Sequence, residues 1–152
     1  MLYSALKFLH VASVIVWVGG VITLTFLNMR LARTRDEGTL AALASASEFY
    51  GRAVIGPATG LTLLAGIASA LSVGLPLSAL WIIWGFAAIL LSLALGATLI
   101  RITAQQLGAL AATANSATAQ VAALQRRLMG LNIINIVLLL SAVWAMIAKP
   151  TL

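Results

Sequence analysis

The chain has 152 residues, 62% of them hydrophobic and 8% charged, with a formal net charge of +6. A soluble domain carries about 25% charged residues. At a mean hydropathy of +1.11 there are too few ionised side chains to build a water-facing surface, and the length allows one domain. Cysteine is absent, which excludes disulfides, thiolate metal sites and cysteine nucleophiles. These proportions belong to an integral membrane protein.

The first element is an apolar run, Phe8–Leu27, holding the only histidine, His10. It passes the length of about 20 residues needed to cross a hydrocarbon core. It lacks a small-residue cleavage site and is followed by arginines, so it reads as an anchor rather than a removable signal peptide. Asp36-Glu37-Gly38-Thr39 then reads as a turn and helix cap, followed by the helix "LAALASASEFYGR".

The second span is Ala53–Leu75. Pro57 should bend it by removing one helical hydrogen bond, and Gly56, Gly60 and Gly66 allow close helix approach in lipid. Gly74-Leu75-Pro76 forms a tight turn into the third span, Leu77–Ile100. Beyond it, Leu107, Leu110, Ala114, Ala117, Val121, Leu124 and Leu128 alternate steps of three and four, the spacing of a helix seam. A helical hairpin is expected there, broken at Asn115-Ser116. The fourth span is Leu128–Ala148. Asn132 and Asn135 within it, with Asn28 at the end of the first span, are placed to hydrogen-bond between helices.

The basic residues orient the spans. Arg30, Arg33, Arg35, Arg52, Arg101, Arg126 and Arg127 lie on the connections, against Lys7 and Lys149 at the other side. The rule that cytoplasmic loops are rich in lysine and arginine puts both termini outside the cytoplasm. Tyr3, Trp81, Trp84 and Trp144 fall at the outer ends, where amphipathic rings prefer the headgroup level. Charges gathered at the ends of apolar runs also argue against a phosphate-tracking groove, so the expected partner is the bilayer and not nucleic acid. The expected fold is all-α: a single domain over 1–152, a four-transmembrane-helix antiparallel bundle with cytoplasmic helical extensions over 30–52 and 101–127.

"LKFLHVASVIVWVGG", "GRAVIGPATGLTLLAGI" and "VWAMIAKP" together resemble a group of small bacterial integral membrane proteins of unknown function. More distantly they are similar to the HemJ-type protoporphyrinogen oxidases and to the CopD copper-resistance membrane domain. The HemJ resemblance implies that His10, at the matching place in the first span, is a haem ligand, and Lys149-Pro150 also fits its C-terminal pattern. The third span departs from that pattern, which has a histidine and a lysine where this chain reads "LSALWIIWGF". Copper(I) calls for soft sulfur or imidazole ligands. One histidine and dispersed methionines do not supply them.

His10 is the candidate site. Tyr3 and Trp17 lie seven residues before and after it, on the same helix face, with Ser13 nearby. An ionisable residue inside a span normally points into the bundle, and neutral imidazole is the form that ligates iron. A haem b at His10 would have Trp17 as a pocket wall. Met146, the only sulfur at comparable depth, is the candidate for a second axial ligand, and a five-coordinate site or one completed by a symmetry mate would also serve. The alternatives are a histidine bonded to a neighbouring backbone carbonyl or hydroxyl, and a proton relay. Asp36, Glu37 and Glu48 all fall on connections, so no carboxylate pair is expected within the spans. Three functions remain open: an accessory or scaffolding membrane protein acting as a homo-oligomer or with a membrane partner, a haem-handling protein using His10, and an oligomeric permease for small solutes or metals.

Overall fold

The computed structural model describes residues 1–31, 45–111 and 119–149. Among them there is no strand, and four helices are long and apolar enough to cross a membrane. They are α1 (Leu2–Leu31), α2 (Ser45–Ser72), α3 (Leu80–Leu110) and α4 (Ala119–Ala148). In lipid every backbone N–H must find its partner inside its own segment, so apolar runs of this length resolve as helices. The helices outrun the apolar runs. At about 1.5 Å per residue α1 is about 45 Å long, enough to carry its hydrogen-bond ladder through the headgroup layer on both sides.

The turn between α2 and α3 takes more residues than the sequence suggested: Leu75 and Leu77 fall outside the helices, and α3 starts at Leu80. The cause is a glycine-capped helix end. Gly74 adopts φ +67, a left-handed conformation open to glycine at little cost. Its N–H donates to the Leu71 carbonyl (3.2 Å) and the Leu75 N–H to the Ala70 carbonyl (2.9 Å), the paired closure of a Schellman motif. The Pro76 carbonyl accepts from Ala79 (3.0 Å), and α3 starts from there.

Pro57 stands where the helix changes its hydrogen-bond pattern. Directly before it, Gly51–Ile55 form a π-turn in which the Gly56 N–H reaches the Gly51 carbonyl, so the missing donor is absorbed by a local widening of α2.

α1 packs mainly on α2 and α3 on α4, and α4 also lies against α1. All four meet in one layer made of Trp17, Val18, Ala58, Ile89 and Leu139. Beyond the arginine-rich end, the hairpin seam is present where described: Leu107, Leu110, Val121, Leu124 and Leu128 are half-buried, while Gln106, Ala109, Gln120 and Ala123 are exposed. Asn115-Ser116, Ala114, Ala117 and the Asp36–Thr39 turn lie outside the described residues.

The asparagines differ from expectation. Asn132 Nδ2 donates to the Leu128 carbonyl of its own helix (2.9 Å) rather than across the bundle. Asn135 is buried with Oδ1 unpaired. For Asn132 a carbonyl one turn back lies within reach of the amide donor and takes the bond that a second helix could have accepted. Ser13, Thr25, Thr59 and Thr103 do the same with Leu9, Val21, Ile55 and Leu99.

Candidate functional site at the α1–α2 seam

His10 is half-buried and turned toward α2. Its Nδ1 lies 2.8 Å from the Thr62 carbonyl oxygen. A carbonyl can only accept, so Nδ1 carries the proton and donates it. In a regular helix that same oxygen takes the N–H of Gly66, one turn on. Its second lone pair therefore receives the imidazole.

Gly66 makes this approach feasible. A Cβ at Gly66 would lie 2.9 Å from His10 Nδ1 and 3.0 Å from Cε1, closer than side chains tolerate. The ring lies flat against bare backbone, and the hydrogen bond is the reason it lies there. Thr62 itself is 1% exposed, with a hydroxyl that has no partner, and Ser69 on the same face of α2 also has an unpaired buried hydroxyl. The small-residue pattern pointed to this contact but could not single it out. Nothing approaches Gly60, and Gly56 meets only its own helix, at Gly51. At Gly20 the approach is made by Tyr50, whose ring would stand 3.2 Å from an added Cβ.

Trp17 is 4% exposed and lines a cavity of about 20 Å³ between α1, α3 and α4. Met146 lines the same cavity with Ile89, Leu139 and Gly85, and its methyl group would lie 3.0 Å from a Cβ at Gly85. The structure thus brings Trp17 and Met146 together in the four-helix layer. His10 stands apart from them, on the α2 side of α1. Cofactor-sized ligands occupy pockets of about 300–1,000 Å³. The cavity of about 20 Å³ beside Met146 is well below that size, and His10 does not line it.

One polar bond on the other side of the bundle was not foreseen. Trp84 Nε1 donates to Ser141 Oγ (3.1 Å), which in turn donates to the Leu138 carbonyl (2.7 Å). The periodicity of α3 marks Trp84 only as an interface ring, and no sequence signal pairs it with a serine on α4.

Four apolar helices closed around a layer of interlocking side chains define an all-α, four-span integral membrane protein. A family model described as "Predicted integral membrane protein (DUF2269)" matches residues 4–150, and the chain belongs to that family. No curated protein and no solved structure matches it.

Proposed function

We propose that the chain is an accessory or scaffolding protein of the bacterial inner membrane, a single four-span domain that works through helix packing and association rather than through chemistry of its own. The observation that carries this reading is the commitment of His10. Its Nδ1–H is bonded to the Thr62 carbonyl and its ring is wedged on Gly66, so the only imidazole acts as a clamp between α1 and α2. A histidine used this way needs no ligand to account for its place in a span. The filled layer at Trp17, Ile89 and Leu139 supports this reading over a permease path. Association with a second copy or with another membrane protein follows from the same role.

The haem reading keeps one observation in its favour. Metal-ligating histidines commonly donate one ring N–H to a backbone carbonyl, which fixes the other nitrogen as the ligand. The His10–Thr62 bond has that form, leaving Nε2 unprotonated in the neutral ring. With the bundle interior filled, such a group would sit on the flank of the α1–α2 seam, and Met146 would not reach it.

Protein purified from a haem-replete host should be colourless and stay so after haem is added. A Soret band that His10→Ala removes while helical content is retained would replace the packing reading with the haem reading. Orientation is tested separately. Both termini should lie outside the cytoplasm, so reporters after Leu152 and within 111–120 should report opposite sides. A shared side would sink this topology.

A further inference from the structure

The two ends of the bundle treat their cations differently. At the end that carries both termini, Lys7 Nζ lies 6.0 Å from the centre of the Tyr3 ring and Lys149 Nζ 5.8 Å from that of Trp81. Each ammonium is held on an aromatic face of the chain itself. At the opposite end Arg30, Arg101, Arg126 and Arg127 are all exposed. Among the described residues none of the four has a hydrogen bond or an ion pair. The only carboxylate among the described residues, Glu48, is taken by Arg52.

These four arginines stand at one level. α3 and α4 run antiparallel, with Trp84 bonded to Ser141, and further along Gln106 and Leu110 face Gln120 and Leu124 across a groove. Between those two contacts the register sets Arg101 level with Arg126 and Arg127. α1 is antiparallel to α4, with Trp17 level with Leu139, and the same continuation brings Arg30 to that height. Along the helices this level is about 30–40 Å from Tyr3, Trp81 and Lys149. That span matches a hydrocarbon core with its headgroup layers. A bilayer spanned at this length would have the guanidinium groups at the phosphate plane of one leaflet, while Lys7 and Lys149 at the other end each lie over an aromatic ring.

We propose that this arginine collar is a binding surface for anionic phospholipid headgroups, the lipid phosphate being held by Arg101, Arg126 and Arg127 on the α3–α4 hairpin and by Arg30 on α1. Guanidinium offers a planar fork of donors suited to phosphate oxygens. The occupant is a lipid rather than free phosphate, because the four side chains are exposed at one level at the end of the spans, open to a headgroup layer. It is anionic rather than zwitterionic, because a choline group brings its own cation to a surface that already has four without carboxylate partners among the described residues.

The test uses the full chain reconstituted in phosphatidylcholine vesicles with trace spin-labelled phosphatidylglycerol or spin-labelled phosphatidylcholine. The fraction of label immobilised at the protein surface is then read. Wild type should favour phosphatidylglycerol by about fivefold for each guanidinium engaged. That preference should fall toward unity in 1 M salt, where screening is nearly complete. Changing all four arginines to glutamine should remove it. Because that variant could fail to insert, Arg101→Gln with Arg127→Gln is the second arm, and it should remove at least half of the preference. Lys7→Gln with Lys149→Gln should leave it intact. Equal immobilisation of the two lipids by wild type would overturn the proposal. So would loss of the preference in the lysine variant, its survival in the arginine variants, or its abolition by millimolar inorganic phosphate.

Discussion

The α1–α2 seam and the α3–α4 seam are made of the same two parts, a glycine against which a side chain ends and one polar bond across the helices. On the first seam the ring of His10 rests on Gly66 and the bond runs to a backbone carbonyl. On the second, the methyl of Met146 rests on Gly85 and the bond runs from Trp84 to a serine hydroxyl. In the first seam both parts belong to one side chain. The imidazole cannot move off Gly66 without losing its bond to Thr62. In the second seam the parts are separate, and the atom against the glycine is the end of a flexible chain. Two near-identical distances, 2.9 and 3.0 Å to the added Cβ, therefore describe a rigid lock and a soft one.

That difference predicts its own largest effect. Gly66→Ala should destabilise the protein by about 2–3 kcal/mol, since overpacking at a rigid contact costs about 1–3 kcal/mol and the interhelical bond is lost as well. Unfolding in mixed detergent micelles measures it. His10→Ala alone should cost about 1–2 kcal/mol, and it should remove most of the cost of Gly66→Ala when the two are combined. If the two substitutions simply add, the ring is not what makes Gly66 necessary, and the lock is elsewhere.

How much of this was legible in the sequence follows the physics of each part. The four spans and the seam of Leu107, Leu110, Val121 and Leu124 come from hydropathy and helical periodicity, and the altered bonding before Pro57 from its missing N–H, all of which depend on the chain alone. The length of the turn at Gly74 was misjudged, because a Schellman closure draws on apolar residues that look no different from span residues. His10 was recognisable as the polar intruder in α1. Its partner was not, because a backbone carbonyl leaves no mark in a sequence. Gly66 stood among several glycines, and only the crossing of α1 over α2 separates it from Gly60. The asparagines misled for the opposite reason. Their side chains could serve two helices, and for Asn132 the nearer one was its own.

A second substitution sharpens the contrast. Gly85→Ala meets only Met146 Cε. A thioether with three rotatable bonds can shift into the adjoining cavity of about 20 Å³. The expected cost is below about 1 kcal/mol, at the lower edge of overpacking penalties, and it should vanish when Gly85→Ala is measured in a Met146→Ala background. A loss as large as that of Gly66→Ala would show that the second seam is as rigid as the first.

The smallest effect should come from the polar bond of the second seam. Trp84 is 41% exposed, at the end of the bundle where Lys149 lies over Trp81. There, headgroups and water can replace a lost partner. Trp84→Phe keeps an aromatic ring but gives up the Nε1 donor, and Ser141 retains its own bond to the Leu138 carbonyl. Nothing is left buried and unsatisfied, so the desolvation penalty that makes a broken bond costly does not arise. Interhelical hydrogen bonds in membrane proteins average about 0.6 kcal/mol, and this exposed one should contribute less than about 0.5 kcal/mol. Unfolding midpoints of Trp84→Phe and wild type in the same micelles should nearly coincide. A shift equivalent to 1 kcal/mol or more would mean that the α3–α4 seam, like its counterpart, depends on its polar bond, and the distinction between a rigid and a soft lock would fail.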